Sequence, residues 1–325
     1  MKSAIFLSAI FLSGITYTGI DVMKYSTSTP VSISPEKLNY TQLADVGYDT
    51  NLIRGRQLYD TEPEKLLEIF GGHYKKVHDN TLSIDCSQKK LKSEPPIFNK
   101  HISMTAFLLD LNSAELSTVP NIQSYRKQCS SKIVLTAGHA IEFSKYSGQC
   151  IVYRPEFPDI HQIVNTGNQI RRSRFYLPEY KNRTVKNSID DYGFVKLDSP
   201  ISYNNSKGLR ICSANEVEAN SCKSGTKNLT LSQKFTPKLG KLAYSDKCCF
   251  DSEERPYNEL IAHKCEAANG ASGGPLVNVS NPAEPCVLGI HVSADTTSLH
   301  NYASSLSNLN LRRELQLFLK DNCSP

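Results

Sequence analysis

The segment Gly270-Ala271-Ser272-Gly273-Gly274-Pro275, followed by the apolar Leu276-Val277, constrains this chain more than any other. Glycines on both sides of one serine free the backbone for a tight turn, and Pro-Leu-Val then reads as the start of a strand. Such a turn can set two amide N–H groups around one oxyanion while leaving the serine oxygen accessible. The segment reads as a nucleophile turn, which requires a histidine and an acid elsewhere in the chain.

Both lie upstream. Ile133-Val134-Leu135-Thr136-Ala137-Gly138-His139-Ala140 places a histidine just after a buried-type strand and a small-residue turn. Asp190-Asp191-Tyr192-Gly193-Phe194-Val195-Lys196-Leu197 places aspartates at the start of another such strand. The histidine would serve as base, and the acid would hold its tautomer and orientation. Gly270-x-Ser272-x-Gly274 also matches the nucleophile elbow of α/β-hydrolases, a fold that needs serine, acid and histidine in that order. Only 53 residues follow Ser272, with Asp295 and His300 as possible partners, and the upstream chain lacks alternating strands and helices. That alternative is discounted.

The rest of the chain supports an exported globular protein. Met1-Lys2, an apolar stretch from Ala4 to Ile15 and the small residues Thr16, Thr18 and Gly19 match a signal peptide over 1–19, too short to span a bilayer. The 10 cysteines lack CxxC pairs and read as up to five disulfides rather than a metal site. Sequons at Asn39, Asn182, Asn204, Asn228, Asn278 and Asn322 are compatible with glycosylation in a secretory pathway. A net charge of +5, spread along the chain, gives no ground for a nucleic-acid partner. No second long apolar run suggests a membrane anchor.

Residues 20–96 differ in composition from the remainder, being rich in Ser, Thr, Lys and Tyr with Cys86 alone. Thr61 and Glu64 form a capping box around Pro63, predicting a short helix through Leu66, Leu67 and Phe70 up to Gly71-Gly72. Basic sites at Arg54-Gly55-Arg56, Lys75-Lys76 and Lys89-Lys90 suggest processing points. This region is either a propeptide of a zymogen or a permanent N-terminal arm. From residue 97 to 325 short apolar runs alternate with turn residues: Ile102–Leu111, Ile133–Leu135, Phe194–Leu197, Pro275–Val279 and Val287–Val292. They predict an all-β body. Leu311, Leu315, Phe318 and Leu319 predict one closing helix.

The TAGHA, DYGFVKL and GASGGPL segments together resemble the motifs of trypsin-like, chymotrypsin-fold serine endopeptidases, over roughly residues 97–322. The resemblance implies two six-stranded antiparallel β-barrels with a C-terminal helix and the site in the cleft between them. It implies His139 as general base, Asp191 rather than Asp190 as orienting acid, and Ser272 as nucleophile. The N–H groups of Gly270 and Ser272 would bind the oxyanion, and no metal or cofactor is needed. The substrate would be a protein or peptide, cut through an acyl-enzyme by a secreted monomer. A non-catalytic homologue that binds a partner is the alternative.

Departures from the trypsin pattern place the chain nearer the glutamyl-endopeptidase and related microbial branch. Ala271 stands where many trypsins carry an aspartate that pairs with a new N-terminus, and a methyl group cannot hold an ammonium. Ala140 replaces a cysteine, and the chain has no Trp. Specificity signals conflict. His291, in Gly289-Ile290-His291, matches a histidine that binds acidic side chains, whereas Glu266 matches an acidic position that selects Lys or Arg. Val292, Ser293 and Ala294 would pair with substrate backbone. A Cys129–Cys150 bridge would brace the histidine loop. The resemblance suggests Cys222–Cys286 and Cys86–Cys212. Cys265 would join Cys248 or Cys249, and the one left over would join Cys323.

Overall fold

The computed structural model describes residues 58–60, 72–87, 101–142, 149–155, 157–165, 175–176, 185–201, 207–218, 221–225, 227–234, 242–252, 259–267, 270–281, 283–295 and 300–324. The expected signal peptide, the capping-box helix after Thr61 and two of the three basic sites lie outside them. The chain is mostly β, in two sheets. The first contains β2 (Thr81–Ser87), β3 (His101–Leu108), β4 (Ile133–Thr136), β5 (Gln149–Arg154), β6 (Phe157–Asn165), β7 (Phe175–Tyr176) and β8 (Gly193–Lys196), in the order β6-β5-β2-β3-β4-β8-β7. The second contains β1 (Leu58–Asp60), β10 (Leu229–Lys234), β11 (Leu242–Cys248), β12 (Leu260–His263), β13 (Pro275–Asn278), β14 (Cys286–Asp295) and β15 (His300–Ser305), in the order β1-β11-β10-β13-β14-β15-β12. The short β9 (Arg210–Ile211) joins β14 in parallel. Among the described residues the α-helices are α1 (Gly72–Asn80), α2 (Ile122–Cys129), α3 (Gly138–Glu142), α4 (Ala214–Glu218) and α5 (Leu309–Cys323).

This is the all-β, chymotrypsin-like pair of sheets that the motifs imply, with one correction. The sheets have seven and eight strands rather than six each. An antiparallel bridge between Phe250, just past β11, and His263 of β12 curls the second sheet towards closure.

Alternate side chains along the strands serve two cores, which explains why the runs read as continuously apolar. In the first sheet Phe107, Leu135 and Phe194 join a core shared with Tyr244, Leu260, Val277 and Ile290 of the second. Their neighbours Ala106, Leu108, Val134 and Val195 turn into a core private to the first sheet. Leu231, Ile261, Leu276 and Leu288 do the same in the second.

At both ends of the described residues the chain crosses between the sheets. The expected boundary near residue 97 does not separate the sheets from the residues before it. β1 pairs with β11, α1 crosses over, and β2 enters the first sheet between β3 and β5. Tyr74 of α1 packs edge-on against Tyr244 at 5.4 Å. At the other end of α1, Arg154 of β5 donates to the Asp79 carbonyl at 2.5 Å. The basic pair Lys75-Lys76 thus lies within α1, with Lys75 bonded to Asp79 at 2.9 Å. Composition alone set residues 72–87 apart because their polar side chains mask a pairing that only the strand neighbours reveal.

At the C-terminus α5 is capped by Asn308, whose side chain accepts from the Asn310 N–H at 2.8 Å. Leu311, Leu315, Phe318 and Leu319 are buried, as their spacing predicts. Phe318 meets Phe194 of β8, and Cys323 is bonded to Cys129 at the end of α2. Among the described residues no helix is long and apolar enough to cross a membrane.

All 10 cysteines are paired, but largely not as expected. The bridges are Cys86–Cys150, Cys129–Cys323, Cys212–Cys286, Cys222–Cys249 and Cys248–Cys265. Cys129–Cys150, Cys222–Cys286 and Cys86–Cys212 are therefore wrong; of the open choices Cys248–Cys265 holds, but the cysteine left over, Cys249, joins Cys222 and not Cys323. Strand register decides the first: Cys86 and Cys150 face each other on β2 and β5, with Cα atoms 4.1 Å apart. Cys129–Cys323 closes a loop of 194 residues. Replacing both cysteines by alanine should cost about 3–5 kcal/mol, read from denaturant unfolding against the wild type. No loss would show that packing of α5 suffices without the bond.

Candidate active site

Antiparallel pairing builds the first half of the site. Thr136 at the end of β4 lies opposite Gly193 at the start of β8, so the residues just after β4 meet those just before β8. His139 comes after β4, in α3, and Asp191 precedes β8. One Asp191 oxygen lies 2.7 Å from His139 Nδ1, and the other accepts from the His139 backbone N–H at 2.9 Å. Both side chains are buried. With Nδ1 facing the carboxylate, Nδ1 carries the hydrogen and Nε2 remains the basic nitrogen.

Asp190 is exposed, and it is Asp191 that makes the contact with His139. Partial desolvation of its carboxyl, and then the charges of Glu259 and Glu314, raise the Asp190 pKa. The turn leading into Asp191, Val185–Asp190, is held from the second sheet. Ser304 of β15 donates to the Ile189 carbonyl at 2.7 Å, and Ser293 of β14 meets Ser188, hydroxyl to hydroxyl, at 3.2 Å.

The serine turn arrives from the other side. Gly270 and Gly273 have φ of 90° and 88°, values that glycine adopts without strain. The Gly274 N–H donates to the Ala271 carbonyl at 2.8 Å, closing the turn before β13. The Gly273 N–H donates to the His291 carbonyl at 2.7 Å, and the His291 N–H returns to the Gly274 carbonyl at 2.9 Å. A Cβ on Gly273 would meet the Thr105 carbonyl at 2.0 Å, Thr136 Oγ1 at 2.3 Å and the Ala137 nitrogen at 3.0 Å. The turn thus presses against the strand end that leads into His139, and only glycine fits. Ser272 is half-buried, while Ala271 is buried in the second sheet's core.

The specificity candidates separate. Glu266 is buried, its N–H donating to Ser245 Oγ at 2.6 Å and its carbonyl accepting from Gln233 at 3.1 Å. His291 is buried against His263, with Nδ1 and Nε2 of the two rings 3.2 Å apart. Burial, and then the neighbouring His139, push its pKa down to about 3 against the opposing pull of Asp191. His291 is neutral at ordinary pH. Val292 sits at a register shift between His291 and Ser293 and turns its side chain into the shared core, while Ser293 holds the Asp191 turn. Sequence reading missed His263, Thr105 and Ser304, since an isolated histidine, threonine or serine on a strand carries no signal of its partner.

Among the described residues one group of possible metal ligands converges, Cys212, Glu216 and Cys286. Its two sulfurs are bonded to each other, which leaves no thiolate to bind a metal. Arg210 and the Ser213 N–H hold Glu216, lowering its pKa to about 2.

Neither a protein-family model nor a curated protein matches the chain. Several solved structures are similar in fold. A Glu endopeptidase in complex with MPD has TM-score 0.49 at 14% identity, over 83% of this chain and 99% of its own. The HtrA-type protease AlgW with a decapeptide has TM-score 0.44 at 12% identity, over 78% of this chain and 68% of its own. A protease from M. tuberculosis in its active form has TM-score 0.42 at 13% identity, over 78% of this chain and 86% of its own. At these identities the likeness is one of fold alone.

The neutral His291 gives stability a defined pH dependence. In the unfolded chain its pKa returns to about 6.5, so between about 6.5 and 3 the unfolded state binds a proton that the folded state refuses. Stability should fall as pH drops through that window. His291→Leu should remove up to about one proton from the slope of unfolding free energy against pH. An unchanged slope in that variant would place the titration elsewhere.

Proposed function

We propose that this chain is a secreted serine endopeptidase that cuts peptide bonds through an acyl-enzyme intermediate. The observation that carries the reading is the 2.7 Å contact from Asp191 to His139 Nδ1, at the strand end against which the Ser272 turn is pressed. Ser272 Oγ attacks the scissile carbonyl carbon as its proton passes to His139 Nε2. Asp191 stabilises the imidazolium so formed. The oxyanion accepts from the Gly270 and Ser272 N–H groups. His139 then returns the proton to the leaving amine, and water repeats the sequence to release the acyl group. No step requires a metal or cofactor.

The substrate backbone lies along β14 at Val292–Ala294, the stretch just past the residue that bonds the serine turn. Glu266 and His291 are the two candidates for reading the side chain before the scissile bond, and both are buried. A neutral His291 offers that side chain hydrogen bonds but no charge. Cleavage-site profiling on a peptide library assigns the preference and supplies a substrate. Ser272→Ala and His139→Ala should each lower kcat about 10⁴-fold or more, with unfolding free energy within about 1 kcal/mol for Ser272→Ala. Undiminished cleavage by either purified variant would sink the reading. A wild-type protein that neither cleaves the library nor reacts with a serine-directed phosphonate would instead favour a binding protein.

Processing, under this reading, stops short of the strands. β1 and β2 are sheet members, so the secreted protein should begin upstream of Leu58. N-terminal sequencing of active material checks this, and a start after Lys76 or Lys90 would contradict it. Of the sequons, Asn278 is buried with its amide donating to the Glu216 carbonyl at 3.3 Å, which closes it to a glycan in the folded protein.

A further inference from the structure

Thr105 lies in β3 of the first sheet, fully buried, yet two of its atoms reach across to the serine turn of the second. Its hydroxyl donates to the Gly270 carbonyl at 2.6 Å, and its backbone N–H donates to the Ser272 carbonyl at 3.0 Å. Its own carbonyl accepts from Thr136 Oγ1 at 2.8 Å, which ties this position to the strand that leads into His139. One residue therefore holds the carbonyls of both amino acids whose N–H groups would bind the oxyanion.

The two amides need such anchoring for different reasons. The Ser272 N–H shares a planar peptide with the Ala271 carbonyl, which is fixed by the Gly274 N–H, so its direction is set within the turn. Among the described residues no backbone bond from within the turn holds the Gly270 carbonyl. Without a Cβ and at φ 90°, its flanking peptides rotate at little steric cost. A bond on its carbonyl fixes the Gly270–Ala271 peptide and with it ψ of Gly270, one of the two rotations that aim its N–H, and the Thr105 hydroxyl supplies that bond. Stabilising an oxyanion depends on donors that are already in place before charge develops.

We infer that Thr105 is a positioning residue for the oxyanion-binding amides, its hydroxyl holding Gly270 in the orientation that catalysis uses. This rests on the serine endopeptidase reading above. It assigns to the opposite sheet a part in catalysis beyond supplying His139 and Asp191. The backbone bond to Ser272 survives any side-chain change, so substitution at Thr105 isolates the Gly270 tether.

Thr105→Val removes the hydroxyl while keeping a β-branched side chain of the same size in a strand. It should lower kcat about 10- to 100-fold on a library-derived peptide and leave KM within about 2-fold. The matching peptide aldehyde, whose adduct with Ser272 places an oxyanion between the two amides, should bind more weakly by the same factor as the loss in kcat/KM. Thr105→Ser, which keeps the hydroxyl, should restore both. Wild-type kcat and wild-type aldehyde affinity in Thr105→Val would overturn the inference. So would equal losses in Thr105→Val and Thr105→Ser, because the methyl group and not the hydroxyl would then matter. If Thr105→Val does not fold, the Thr105→Ser and Thr105→Ala pair carries the same comparison. A wild-type protein that forms no aldehyde adduct defeats the endopeptidase reading itself, which is a separate outcome.

Discussion

Two sheets bury one core between them, and the candidate site depends on that shared burial. Phe107, Leu135 and Phe194 from one sheet and Tyr244, Val277 and Ile290 from the other lose their solvent only when the sheets meet. The same closure brings the Gly273 backbone against Thr105 and Thr136, at distances that exclude a methyl group. Close packing of backbone on backbone leaves little freedom for the serine turn, and that restriction is what preorganises it. The crossing termini reinforce the seam. α1 and β2 carry the chain from the second sheet into the first, and α5 is bonded back to α2 through Cys129–Cys323.

Electrostatics at the seam is arranged by burial rather than by many charges. Asp191 is the carboxylate that touches His139, and it is held in place by bonds to both the ring and the backbone of that residue. The turn that presents Asp191 is gripped by Ser293 and Ser304 of the second sheet. Asp191 and Ser272 are thus each steadied from the sheet that does not carry them. His291, next to this array, is kept neutral by desolvation.

Much of the site was legible in the chain because its parts are contiguous motifs. Gly270–Pro275, the segment ending in His139 and the segment starting at Asp190 each pair a strand with a turn, and their order selects the two-sheet fold over an α/β sheet. The strands β4, β8, β13 and β14 fell where the apolar runs put them. What failed was whatever depends on partners distant in sequence. Cys86 and Cys150 are opposite one another only because β2 lies beside β5, and no spacing rule announces that. Residues 72–87 looked foreign to the body because Lys, His and Asp dominate α1, although Tyr74, Val77 and Leu82 are buried.

The order of residues was enough to name the candidates: a serine whose glycines permit a positive-φ turn, a histidine after a buried strand, and an aspartate before another. Those are local properties, written in the conformational freedom of glycine and the periodicity of apolar side chains. The contact of Asp191 with His139, which cysteines join and what holds the serine turn in place were decided by folding in three dimensions. Asp191 meets His139 across 52 residues of chain, and Thr105 meets Gly270 across 165. Such contacts arise from the packing of two sheets on one core, a global property that no single segment encodes.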